Sequence, residues 1–428
     1  QQQDASDLLF QPLKISSILD YETHFGQPYP EKTIQVTIDT AGGNITVAAK
    51  VAKPSKYGMY YSLQLFFANG GGACYIVSTG NYSSRGSITG SRLRKGLKAA
   101  GKIRDATLTI FPDGLAMRAH RDYYTLHKEA MEQAARLGDR FVVMDIWVKP
   151  ADSQFNPVQT FHDFDFGGTE IVQYGAAYYP RIATSLDYFY EPSGRKVAVT
   201  CKVERSLSGT LEALGEKDAA VFVRAKKAIA DIPMLLPASP AVVGRYADVD
   251  RTRGVWKAAA NVEIEYALAT ERLITQQEQE DLNVDAVTGK SVNVIRSFTG
   301  RGPAIIWGAR TLAGNDNEWR YIPVRRYFIM VEGSVKQATT QFHFEPNDAS
   351  TWIRIKAMIE NYLVQQWRAG ALQGTTPRDA FYVRVGLGET MTQQDLLEGQ
   401  LIVEIGLAVV RPAEFIILKF MHQMRTEA

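Results

Sequence analysis

The chain reads as a mixed α+β and α/β protein of several domains, on three observations. From residue 74 to 148, strand-like and helix-like stretches alternate, the pattern of a partly parallel sheet with helices on its faces. In the last third, two long stretches with apolar residues at helical spacing precede apolar, β-prone runs. At 428 residues, with 45% apolar and 22% charged side chains, the chain has the length for two or more domains and the composition of a globular protein.

Composition also excludes function classes. With 48 Lys and Arg against 46 Asp and Glu, the net charge of +2 lacks the basic excess of a dedicated nucleic-acid binder. Cys74 and Cys201 are too few for a disulfide framework and suit folding in a reducing compartment. No apolar run reaches the ~18–20 residues of a membrane span. The opening QQQDASDLLF has no basic-then-apolar signal pattern. It also lacks a starting Met, so a further segment is expected upstream.

Taken in order, residues 1–30 read as a linker feeding a short helix, capped by Ser16 or Ser17 and stopped by Gly26. Residues 33–51 read as a hairpin turning at Gly42-Gly43, with Ile34, Val36 and Ile38 alternating on one arm and Ile45, Val47 and Ala49 on the other. An aromatic helix over 57–68 is broken by Asn69-Gly70-Gly71-Gly72 before a strand at 74–78. Then come a basic helix at 92–104, a strand at 107–111, a helix at 118–137 and a strand at 141–148. A helix is expected over 211–229 and a Pro-punctuated loop over 232–244. Pro323 can occupy the first position of a helix. A second helix starts near Asp348 or Ser350 and ends at Gly370, with Trp352, Ile355, Ile359, Tyr362, Leu363 and Trp367 on its apolar side. Residues 401–407 and 415–420 read as strands parted at Arg411-Pro412, because Pro cannot donate to a ladder.

Chemical constellations are weak throughout. His120-Arg121-Asp122 and Asp165-Phe166-Gly167 imitate kinase triplets, but His127 stands where the metal-binding Asn belongs, and no phosphate loop or strand lysine lies upstream. The Asn69–Gly72 run has no Gly-Lys-Ser/Thr after it and precedes a strand, so a backbone turn is the better reading. The six histidines include no i, i+4 pair with an acid nearby. Cys74 has no basic neighbour to activate it and reads as buried and inert. Arg325-Arg326 and the charged side of residues 350–368 read as solvated helix surface, the alternative being contact with other chains. No enzyme, metal or cofactor chemistry is indicated.

Several stretches, however, resemble contractile tail sheath proteins. They are GKSVNVIRSFTGRG (289–302), IIWGARTL (305–312), GNDNEWRYIPVRRYF (314–328), FEPNDASTW (344–352) and EGQLIVEIGLAVVRPAEFIILKF (398–420). RGVWKAAANVEI (253–264), YYSLQLFFANGGGACYIVS (60–78) and QYGAAYYP (173–180) add to the likeness. It is strongest to sheaths of extracellular contractile injection systems, and weaker to those of contractile phages and R-type pyocins.

The resemblance implies a multi-domain sheath fold: a linker at 1–30 following an unseen arm, a middle α/β domain at 31–245 and a C-terminal domain at 246–428. It implies a small C-terminal sheet completed by strands from neighbouring subunits, which is β-augmentation. Phe415, Ile416, Ile417, Leu418, Lys419 and Phe420 are then the lent strand, and Leu401, Val403 and Ile405 belong to the receiving sheet. Residues 390–400, with Arg384, Glu389, Thr392 and Asp395, either approach an inner tube or form an ordinary helix capped by Thr392 and Asp395. The implied partners are further copies of the chain, an inner tube protein, and baseplate and cap proteins, with no nucleic acid, membrane or cofactor. The implied setting is a phage-tail-like particle assembled in a bacterial cytoplasm. A phage tail sheath serving DNA delivery is the nearest rival.

Overall fold

A computed structural model describes residues 8–41, 44–82, 88–149 and 154–414. The chain divides into two compact units, Gln1–Val255 with Ala259–Gly333, and Trp256–Ala258 with Ser334–Ala428.

The first unit is built on a six-stranded mixed sheet. Its order is Val262–Glu263, Gly302–Trp307, Val292–Phe298, Gly175–Tyr179, Phe141–Asp145, Leu108–Thr109. The last four run parallel, and the first two add antiparallel strands at the other end. Every residue of Phe141–Asp145 and Gly175–Tyr179 is buried, as a parallel sheet covered on both faces requires. Helix His120–Leu137 lies over this sheet and ends at Gly138, whose φ of 67° is the left-handed turn that glycine tolerates best. The strand Cys74–Val77 is not part of this sheet. It pairs with Pro12–Ile15 instead, in register from Cys74↔Ile15 to Val77↔Pro12. Burial pushes the Cys74 thiol up to about 12, so it stays protonated at neutral pH.

A second, four-stranded sheet carries the hairpin Ile34–Asp39 and Thr46–Val51, paired from Ile34↔Val51 to Asp39↔Thr46. The expected turn at Gly42-Gly43 lies outside the described residues. Ile34, Val36 and Ile38 point into a core closed by helices Leu211–Lys217 and Ala219–Ala230. Sequence periodicity merges these two helices into one. Asp218 separates them, leaving the helical region and capping the second by accepting from Ala220 N and Val221 N.

The segment 232–244, expected to be a loop, is instead strand Met234–Leu236 followed by the start of helix Ser239–Arg253. Pro240 sits in the helix's first turn, where no N–H is needed. Ala241, Val242, Val243, Gly244, Tyr246 and Val249 are all buried, so the first half of the helix is enclosed and shows no polar face, while Arg251, Thr252 and Arg253 are exposed at its end. It packs against helix Met59–Ala68. Neither helix has a side-chain cap of its own. Aspartates from elsewhere serve both: the half-buried Asp113 accepts through Oδ1 from Gly58 N at 2.7 Å, and the buried Asp145 accepts through Oδ1 from Ala238 N at 2.7 Å and Ser239 N at 3.0 Å. Burial pushes each carboxyl up to about 6.

Arg325 and Arg326, read from the sequence first as solvated, are only 4% and 8% exposed. The Arg325 guanidinium lies over the rings of Trp319 (4.5 Å) and Tyr174 (4.8 Å) and donates to Glu332 at 2.8 Å. Arg326 lies over Tyr246 and makes a two-pronged ion pair with Asp250. Both charges are paired and stacked, the condition under which burial is tolerated.

Candidate assembly interface

The second unit contains the C-terminal candidates. Its spine is helix Ala349–Arg368. Asp348 caps it by accepting from Thr351 N at 3.0 Å, and Gly370, at φ 83°, follows its end. Thr351, Ile355, Ile359 and Leu363 are buried at four-residue spacing, while Arg354 and Arg368 are exposed. Trp352 and Trp367 lie partly buried at the flanks, each indole N–H satisfied, by Asn347 Oδ1 and Gly374 O.

The same unit contains a two-stranded antiparallel sheet, Phe381–Arg384 with Glu404–Leu407, in register from Phe381↔Leu407 to Arg384↔Glu404. A short helix, Pro377–Ala380, leads in with a capping box between Thr376 and Asp379. Beyond the strand, Ala408 N donates to Ala380 O, Gln373 N to Ala408 O, and Val410 N to Ala371 O. Among the described residues no third strand completes this sheet. Val383 is buried and Phe381, Ile405 and Leu407 are half-buried, so the sheet has one apolar side and an incomplete ladder. Such an edge is a ready template for a strand from another chain.

Ile405 lies in the strand opposite Val383. Leu401 and Val403 are half-buried but precede the strand, which begins at Glu404 rather than at residue 401. One cause is local, because Thr390 Oγ1 donates to Ile402 O at 2.7 Å and takes that carbonyl out of the ladder. Phe415, Ile416, Ile417, Leu418, Lys419 and Phe420 lie outside the described residues. Arg384 is exposed, its guanidinium 4.7 Å from the centre of the Tyr382 ring, and Glu389 is exposed as well. Thr392 and Asp395 form the capping box of helix Gln393–Leu397. Hydrogen bonds from the Thr392 N–H and hydroxyl hold the Asp395 carboxyl below the usual carboxylate range. Among the described residues no group of three or more His, Cys, Asp or Glu could hold a metal ion, and no helix is long and apolar enough to cross a membrane.

Residues 314–422, which span this unit's helix and sheet, match the phage tail sheath C-terminal domain. The chain is also similar to the sheath complex, in its contracted state, of an extracellular contractile injection system called PVC. Identity is 29%, over 96% of this chain and 87% of that one, with a TM-score of 0.66. The chain carries the C-terminal domain of tail sheath proteins. A second sheath structure, the helical sheath of the anti-feeding prophage in its contracted state, is 28% identical over 97% of this chain and 89% of the other, with a TM-score of 0.64. A chain of the anti-feeding prophage baseplate is 29% identical over 98% and 89%, with a TM-score of 0.65. No curated protein matches the chain. The protein is thus a contractile sheath subunit, and the likeness extends over both compact units.

Proposed function

We propose that this sheath subunit polymerises helically around an inner tube and contracts to drive the tube through a target envelope. The observation that carries the reading is likeness over nearly the full chain to sheaths solved in the contracted state. The polymer's other partners are baseplate and cap proteins, the first supported by likeness to a baseplate chain. On this reading the protein is not an enzyme, and it is assembled in a bacterial cytoplasm as part of a phage-tail-like particle. The family-level division into residues 1–30, 31–245 and 246–428 belongs to the same reading.

The joint between subunits is strand exchange. The strand 415–420 of one subunit adds to the incomplete sheet of Phe381–Arg384 and Glu404–Leu407 in another. Each added backbone hydrogen bond contributes about 0.5–1.5 kcal/mol net, so a strand of this length contributes several kcal/mol before apolar burial. A joint made of main-chain bonds can persist while the subunits rotate as rigid bodies. Arg384, Glu389, Thr392 and Asp395 are proposed to approach the tube.

Electron microscopy of the purified protein, with and without the residues after Arg411, tests the joint. Helical tubes that disappear on truncation are expected. Monodisperse monomers from both proteins, persisting when upstream residues are supplied, would refute the polymer reading. The match to a phage domain keeps a phage tail sheath as the second reading. Capsid and terminase genes next to this one would favour it.

A further inference from the structure

The first unit has a strongly one-signed helix. Between residues 90 and 104 the chain has six basic side chains, Arg92, Arg94, Lys95, Lys98, Lys102 and Arg104, and no acidic one. The fold treats them in two ways. Arg94 is paired with Glu129 at 2.8 Å and Arg104 with Asp139 at 3.3 Å. Arg92, Lys95, Lys98 and Lys102 are exposed and recur every three or four residues, which places them in one stripe along helix Gly90–Ala100 and just past its end. No ion pair joins any of the four to another described residue. Beside the stripe is apolar surface: the Phe10 ring lies under Lys95 at 5.8 Å, and neighbouring Leu9 is 40% exposed.

The same unit carries the opposite surface. Helix Gln276–Asn283 holds Glu278, Glu280 and Asp281 and no basic residue. Glu278 is engaged by Arg272 and by the Thr275 capping box, but Glu280 and Asp281 are exposed. Large apolar side chains bracket this helix in solvent, Leu273 at 76% exposure and Val287 at 91%. The two helices pack on different elements of the unit. The basic one packs on helix His120–Leu137 and strand Cys74–Val77, and the acidic one packs on Val292–Phe298.

Two different, complementary patches on one chain can make a head-to-tail contact. Repeated without closing, such a contact builds an open helical polymer rather than a dimer. We propose that the stripe Arg92, Lys95, Lys98 and Lys102 docks on the acidic helix Gln276–Asn283 of a second copy of this chain, with Leu273 and Val287 buried at its rim. The proposal rests on the helical sheath reading and adds a lateral contact distinct from strand exchange. Like charges placed across such an interface oppose association strongly, whereas opposite charges set register and partner choice.

Charge reversal and exchange in the full chain test it, with tube number and length read by electron microscopy. Lys95→Glu with Lys98→Glu is expected to reduce tubes roughly tenfold or more, as is Glu280→Lys with Asp281→Lys. Mixing the two variants pairs reversed with matching surfaces at half of the contacts, and combining all four substitutions in one chain restores every pair. The four-fold variant is therefore expected to assemble like wild type. Raising salt from about 0.1 M to about 1 M, where screening shortens from about 10 Å to about 3 Å, should weaken wild-type assembly in the same direction. Thermal melting checks that each variant is folded; Lys95→Gln with Lys98→Gln replaces the basic-stripe variant if it is not, and Glu280→Gln with Asp281→Asn replaces the acidic-helix variant. Tubes of wild-type number from the reversed variants would overturn the proposal and leave the sheath reading standing. Folded variants that the four-fold exchange fails to restore would show that the stripe meets another partner, the tube or an anionic surface. A wild-type chain that forms no tubes would overturn the sheath reading itself.

Discussion

Asp145 gives the sharpest test of how this fold is held together. Its carboxylate lies on a central strand, 4% exposed, and Oδ1 receives the N–H groups of Ala238 and Ser239 at the enclosed start of a helix. Removing it as Asp145→Ala strands two buried donors, each costing about 1–3 kcal/mol, so a loss of about 2–6 kcal/mol is expected. The charge itself carries a penalty. Burial raises the folded pKa to about 6 from an ordinary value of 3.8. The folded state therefore holds the extra proton between those values, and stability falls as pH rises through that window. The penalty is absent below pH 3.8, grows toward pH 6 and is complete above it. A tenfold difference in proton affinity between the folded and unfolded states corresponds to about 1.4 kcal/mol, so acidifying from about pH 7 to about pH 5 should return roughly 1 kcal/mol from this residue alone. Asp145→Asn keeps an acceptor oxygen but cannot titrate. Urea unfolding of both proteins at the two pH values, at concentrations too low for assembly, isolates the effect as the difference between them. If the wild type and Asp145→Asn show the same change in stability between the two pH values, the buried-charge reasoning fails.

Other perturbations follow from the same physics. Arg326→Ala leaves Asp250 without its partner and should destabilise the fold by roughly 2–4 kcal/mol. In a double-mutant cycle with Asp250→Asn, the two losses should be far from additive, and thermal unfolding reads both. Gly138→Ala meets no neighbour closer than Glu332 Oε2 at 3.8 Å, so only the left-handed backbone should matter. A loss of about 1–2 kcal/mol by denaturant titration is expected. Thr392→Ala removes the cap of helix Gln393–Leu397 and should cost about 0.5–2 kcal/mol in the isolated subunit. If residues 390–400 also meet the tube, the same substitution lowers tube binding measured by co-sedimentation, beyond what Thr392→Ser does.

The sequence showed the helix capped by Ser17, the arms of the 34–51 hairpin and the long helix that ends at Gly370, because each has its caps or alternation written locally. It missed helix Ser239–Arg253 because the first half of that helix is buried all round, and because its cap, Asp145, lies 93 residues upstream of Ala238. It favoured solvent for Arg325 and Arg326 because no short-range rule reveals that Tyr174, Trp319 and Asp250 will gather around them.

Sequence by itself determined the mixed α/β class and, through its family-like runs, the sheath assignment. Those properties are carried by residue types and short spacings, which are fixed before the chain folds. Tertiary structure alone decided that Cys74–Val77 pairs with Pro12–Ile15 and not with the main sheet, that two helices borrow their caps, and that the C-terminal sheet stops at two strands among the described residues. Each of these depends on which distant groups satisfy a backbone N–H or C=O. That balance is struck across the whole fold, and no local stretch of sequence records it.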